Sequence, residues 1–304
     1  MKRSETVKFP NSIQLFKFCQ KVLTHLAGGK KVNDQEIGNI LDFNPSDCSH
    51  WKRGDKSVRS VFSLASLAAK LQVDTALIHD VATGAASLDD AYFEYIESNG
   101  VAATLAKAAE AGVEATAAAQ TRIETFVNNL HAQSQFTTAP LYLPEVIRFF
   151  SYVQMQPIDM IDRLSRVLRT RPGQYTINYR KGDLKSQTRM SVLKDLSRIV
   201  LEVERARYPE LGEVNEKLLA YEQLIFVVNL LAPKAMVREE MSRLDTRRNI
   251  VVELAALFWI PKTLLTFQLK SLLLGSTVAV ASKVTTTADV VLAAPAAERV
   301  NFAS

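Results

Sequence analysis

The chain has 304 residues, 47 % of them apolar, and its 37 basic and 32 acidic side chains leave a formal charge of +5. That length asks for more than one folded unit, and no run of about 18 apolar residues suggests a membrane span. The charged start Met1-Lys2-Arg3-Ser4-Glu5 lacks a signal-peptide pattern, and the two cysteines, Cys19 and Cys48, fit a reducing compartment, so a cytoplasmic protein with no membrane partner is expected.

After a polar lead-in over residues 1–10, short helical patterns with capping signals run from Ser12 to about Gly84. Gly28-Gly29-Lys30-Lys31 reads as a helix-ending turn or, alternatively, a phosphate loop. Asn33 is a good N-cap with Glu36 three residues on, the capping-box spacing, and opens a short helix to about Asp42. Ile37, Ile40 and Leu41 form its apolar face, and Gly38 is small where another helix must cross closely. A second helix starts at once, with Asn44 as cap, Pro45 at the first helical position and Asp47 in the first turn. It carries Cys48 and Trp51 inward and ends at Gly54. Two short helices with a tight connection describe a helix-turn-helix.

Residues Gln35 to Gly54, with Trp51-Lys52-Arg53-Gly54 closing the second helix, resemble the Xre/Cro-type helix-turn-helix family. Phe62-Ser-Leu-Ala-Ser-Leu-Ala-Ala-Lys-Leu-Gln-Val73 is similar to that family's fourth helix, and Asp74 caps a fifth that reaches Gly84. The family usually has Gly where Asp42 stands; Asp tolerates a left-handed turn better than most residues. The resemblance implies double-stranded DNA as partner, with the second helix in the major groove. Ser46, Asp47, Ser49 and His50 would then reach base edges, and Asn44 would divide its role between cap and contact. Asp47 is either an acceptor for cytosine N4 or a helix-start residue. Gln35 would meet phosphate at a helix N-terminus, and Lys52, Arg53, Lys56 and Arg59 would lie along the DNA backbone.

Residues 86–138 are rich in alanine and read as one long helix or two in series, a connector or a dimer contact, with Ile123, Phe126, Val127 and Leu130 on one face. Pro140 and Pro144 open a second region at 139–275, with helices expected at Leu143–Tyr152 and Ile158–Leu168 and a strand at Gln174–Arg180. Helical patterns follow at Val192–Ala206, Glu216–Leu231, Arg247–Phe258 and Pro261–Leu274. The tail 276–304 is an edge strand or disordered. Between Arg163 and Arg189 stand eight basic residues against Asp183 alone, a solvated face or a surface for an anion.

The strand at Gln174–Arg180, the helix through Arg189–Arg198 and the segments Leu230–Val237 and Ile250–Pro261 resemble, in order and spacing, ImmA/IrrE-type metallopeptidase domains. That family carries His-Glu-x-x-His on the helix, two histidines one turn apart for zinc and a glutamate for its water. Here those places hold Lys194, Asp195 and Arg198, and only Glu222 matches the third ligand. No histidine follows His131. The resemblance therefore implies a pseudo-peptidase with a degenerate metal site, no metal and no cofactor.

The sequence thus points to a mainly α protein. A five-helix DNA-binding domain at 1–85 is joined by the Ala-rich connector to an α+β, zincin-like domain with a small sheet. The function expected is a non-enzymatic transcriptional regulator. It would act as a homodimer, with the second domain sensing an anionic small ligand or a regulatory protein. An antitoxin or phage-type regulator controlled by a protein partner, and a metallopeptidase with an atypical site, are the alternatives.

Overall fold

The computed structural model describes residues 7–57, 61–134, 136, 138–182, 186–245 and 247–274, with the backbone alone at 45, 61 and 62. Most of them are helical, in thirteen α-helices, with one three-stranded sheet. The chain divides into two compact units, Met1–Asn99 and Gly100–Ser304.

The first unit contains α1 (Pro10–Leu26), α2 (Asp34–Leu41), α3 (Pro45–Arg53), α4 (Val61–Leu71), α5 (Thr75–Thr83) and the start of α6 (Leu88–Ala109). On α1, Leu15, Phe18, Cys19 and Val22 recur at helical spacing and are all buried. Gly28 and Gly29, at φ 65° and 88°, close α1, with Gly29 N–H donating to Thr24 O, so this glycine pair is a helix end. The core gathers Phe16, Ile37, Leu41, Cys48, Trp51, Leu67, Leu71, Ile78 and Tyr95. The edge of Phe16 meets Trp51 with centroids 5.2 Å apart. Ile40, expected inward with Ile37 and Leu41, is instead 45 % exposed. An eight-residue helix buries only a narrow stripe, and Ile37 and Leu41, one turn apart, already fill it.

The second unit is built on α7 (Val113–Ser134), which starts after Gly112 at φ 91°. Of its expected stripe, Ile123, Val127 and Leu130 are buried within its own chain and Phe126 is half-buried, and α7 packs on α10 (Leu219–Leu231). The 86–138 segment is therefore two helices. The first lends Ala91 and Tyr95 to one core, and the second is the heart of the other, so the apolar stripe is not a free dimer contact.

After α8 (Leu143–Phe149) come β1 (Val153–Ile158), β2 (Ser165–Arg171) and β3 (Gln174–Arg180) in the order β1-β3-β2, with β1 parallel and β2 antiparallel to β3. β3 is expected from sequence; the helix expected at 158–168 is not there. Leu164, Val167 and Leu168 have helical spacing, but Pro172-Gly173, with Gly173 at φ 74°, closes a β2–β3 hairpin that outweighs it. α9 (Ser186–Arg205) lies on β2 and β3 and buries Leu193, Leu196 and Val200. A 3-10 turn at Pro209–Leu211 leads to α10, then α11 (Lys234–Arg243), α12 (Ile250–Phe258) and α13 (Lys262–Leu274). The sequence patterns did not contain α11, whose buried face is Val237 alone. Among the described residues no single helix is long and apolar enough to cross a membrane.

Candidate nucleic-acid interface

Local capping fixes α2 and α3. Asn33 Oδ1 accepts from Glu36 N–H at 2.9 Å while Glu36 Oε2 accepts from Asn33 N–H at 2.8 Å, a complete capping box. Asp42 takes the left-handed conformation at φ 56°, as the turn demands, and Gly38 O accepts from Phe43 N–H at 2.8 Å. Lys70 of α4 pairs with the Asp42 carboxylate. Asn44 Oδ1 accepts from the backbone N–H and the hydroxyl of Ser46, both at 3.0 Å, so its side chain acts as the cap.

At its far end α3 stops at Gly54, φ 76°. A Cβ on Gly54 would lie 2.7 Å from Val7 Cγ1 and 3.0 Å from Phe9 O. The glycine thus serves both handedness and close approach.

Ser46, Ser49, His50 and Arg53 recur at helical spacing on one side of α3, while Cys48 and Trp51 are buried on the other. Ser46, His50, Lys52 and Arg53 are exposed, Asp47, Ser49 and Lys56 half-buried, and Gln35 is exposed in the first turn of α2. The residues expected at bases and phosphates are thus all at least partly exposed on α3, beside it or at the start of α2, except Arg59, which lies outside the described residues.

Nothing in the sequence pattern marks the pairing on that surface. Lys52 Nζ lies 2.9 Å from Asp34, Lys56 Nζ 3.2 Å from Asp47, and Arg53 Nε 3.2 Å from Asp55. His50 Nδ1 lies 3.4 Å from Asp55 and 3.1 Å from Arg53 Nη2. Hydrogen bonds from His50 and Arg53 hold the Asp55 carboxyl below its ordinary range. The Lys52 and Lys56 side chains are each more than 40 % exposed, so their pairs contribute about 1 kcal/mol or less, and all three pairs, Arg53 with the solvent-open Asp55 included, yield readily to a phosphate. Residues 1–99 carry twelve basic and twelve acidic side chains, so the chain's whole excess of +5 belongs to the second unit.

The residues at the metallopeptidase-like positions fall into two groups. Asp195 accepts from Ser165 Oγ at 2.6 Å and from Arg198 Nη2 at 3.4 Å, tying α9 to β2; Ser165 Oγ also lies 2.6 Å from Ser191 Oγ. Lys194 precedes Asp195 on α9, and its carbonyl accepts from Ser197 Oγ at 2.8 Å. Glu222 is 1 % exposed in α10 and pairs with Arg205, in the last turn of α9, and with Arg122 Nη2 of α7 at 3.9 Å. Asp195 and Arg205 are about 15 Å apart along the helix at 1.5 Å per residue. Glu222 is therefore not drawn into the Lys194–Asp195–Arg198 group. Burial pushes the Glu222 carboxyl up, against the opposing pull of Arg205 and Arg122. Among the described residues no group of three His, Cys, Asp or Glu side chains could hold a metal ion.

The basic run is also divided. Arg163, Arg166, Arg169, Arg171 and Lys181 are exposed. Arg180 donates to the carbonyls of Ile161 and Arg163, and Arg189 is 3 % exposed, donating to those of Phe258, Trp259 and Leu141. Burial lowers the Arg189 pKa to about 10, still a cation at neutral pH. Asp183 and Lys185 lie outside the described residues. Comparison with protein-family models, curated proteins and solved structures finds no match.

Proposed function

We infer that α2 and α3 act as a helix-turn-helix, that Ser46, Ser49 and His50 on the exposed face of α3 read double-stranded DNA with Arg53 on its phosphates, and that the chain is a transcriptional regulator. The observation that carries this reading is the pairing of a fully capped, tightly turned α2–α3 hairpin with short polar side chains on the exposed face of α3. Serines and a histidine reach base edges without the entropy cost of long side chains, and Gln35 sits in the first turn of α2, where backbone N–H groups receive phosphate.

The second unit, in the same reading, is a pseudo-peptidase that serves dimerisation or sensing. Support for a non-catalytic role comes from Asp195, engaged with Ser165 and Arg198 where the resembled family needs a carboxylate free to activate the zinc-bound water. A regulator released by a protein partner is the second reading. It is favoured by the zero net charge of residues 1–99, which makes DNA attraction easy to overcome.

The test is selection of bound fragments from random duplex DNA by the full chain, followed by fluorescence anisotropy on the selected sequence. Arg53→Ala should weaken binding to every sequence a few-fold. Ser49→Ala and His50→Ala should change the ranking of sequences, by about 1–3 kcal/mol for each base edge left without its hydrogen-bond partner. Binding untouched by all three substitutions would remove α3 as the reading element.

A further inference from the structure

The second unit holds a half-open cavity of about 600 Å3 between α7, the α8–β1 connection and the end of α9. Small-molecule sites commonly measure about 300–1,000 Å3, with apolar walls and few polar groups. Here the walls are aromatic: Phe126 and Tyr208 stand 5.8 Å apart, and Phe150 and Tyr152 5.9 Å apart, each pair tilted by nearly 60°. Such splayed rings accept another ring face-to-edge.

Two arginines line this cavity, and they differ in how well they are neutralised. Arg207 lies over the Tyr152 ring at 5.2 Å and donates to Glu204 Oε1 at 3.2 Å, an oxygen that also accepts from Tyr152 Oη at 2.6 Å. That group is self-contained, and Glu210 is exposed. Arg122 is different. Its nearest carboxylate is Glu222 at 3.9 Å, and Glu222 is already held by the more buried Arg205. Two guanidinium groups share one buried carboxylate, and the Nε atoms of both arginines, like Glu222 Oε1 at 3.9 Å from Arg122, are buried with no hydrogen-bond partner among the described residues. The Arg122 guanidinium is one-third exposed, and its charge is only partly offset by a carboxylate that Arg205 already holds, so an anion in the cavity can complete the set.

We propose that this cavity binds a small aromatic carboxylic acid, its ring among Phe126, Phe150 and Tyr208 and its carboxylate on Arg122. The proposal stands apart from DNA binding, since it concerns the second unit alone.

The probe is 1-naphthoic acid, titrated calorimetrically into the full chain beside its neutral analogue 1-naphthalenemethanol. Saturable binding at one site is expected, with the acid preferred by about tenfold or more, as one charge-assisted contact implies. Arg122→Met should bring the acid down to the level of the alcohol while leaving the alcohol unchanged, and Arg122→Lys should keep the preference. Ala118→Phe, a substitution at an exposed cavity-lining residue, should block both compounds. No saturable binding up to millimolar concentration, equal affinity for acid and alcohol in the unaltered chain, or full binding by Ala118→Phe would each overturn the proposal. The acid-to-alcohol ratio of the unaltered chain decides the matter even where a variant folds poorly.

Discussion

His131 sits on α7 with its Nε2 3.2 Å from Asn229 O, so Nε2 carries a proton and donates. Its Nδ1 is buried with no hydrogen-bond partner among the described residues. Burial accordingly holds the imidazole pKa below its ordinary value. The unfolded chain then binds more protons than the folded one just below pH 6.5, and stability rises with pH through that window. The contribution is complete above the unfolded pKa and lost as pH falls through it toward the folded value. Thermal melts at pH 7.5 and pH 5.5 should show a fall in Tm on acidification that is smaller in His131→Gln. Equal falls would assign the pH dependence to other groups.

Among the elements, α9 does the most joining. Its Arg189 supplies donors to the carbonyls that end α12 and to Leu141 before α8, so one side chain closes two helix boundaries. Arg189→Leu leaves those buried carbonyls unpaired and should destabilise the second unit by about 3 kcal/mol, read from urea unfolding followed by Trp259 fluorescence in a Trp51→Phe background. An unchanged midpoint would mean that water replaces the guanidinium. Arg189 also marks a limit of sequence reading, because in the chain it looks like one more cation in a basic run. The capped elements were legible: Asn33 with Glu36, Asn44 with Pro45, and Asp74 each announce a helix start through local chemistry, and each is found capping one. β2 was not, because its arginines hide the two-residue alternation and its pairing with β3 is set by the following turn. The Arg122–Glu222–Arg205 group was illegible for a stronger reason. It joins three helices distant in sequence, and no local pattern marks Arg205 as buried.

At the scale of the molecule, charge is divided unequally: residues 1–99 are neutral in sum, and the excess belongs to the second unit. If Lys52, Arg53 and Lys56 make the phosphate contacts, three counterions leave, and log K should fall against log salt with a slope of roughly −3. Asp34→Asn and Asp47→Asn release Lys52 and Lys56 and should tighten binding by up to about fivefold each, the worth of a surface pair. Replacing Arg166, Arg169 and Arg171 with Gln separates the second unit's share; a slope that collapses with those changes would place the DNA on β2 instead of α3.

The paired cations on α3 also bear on how such a protein would find its target. A contact surface with little free charge dwells only briefly on unrelated duplex, so it samples a genome by many short encounters and little sliding. Its selectivity would then rest on residence time at the right sequence, set by hydrogen bonds at Ser46, Ser49 and His50, with the acids of α2 and α3 keeping every other stop short.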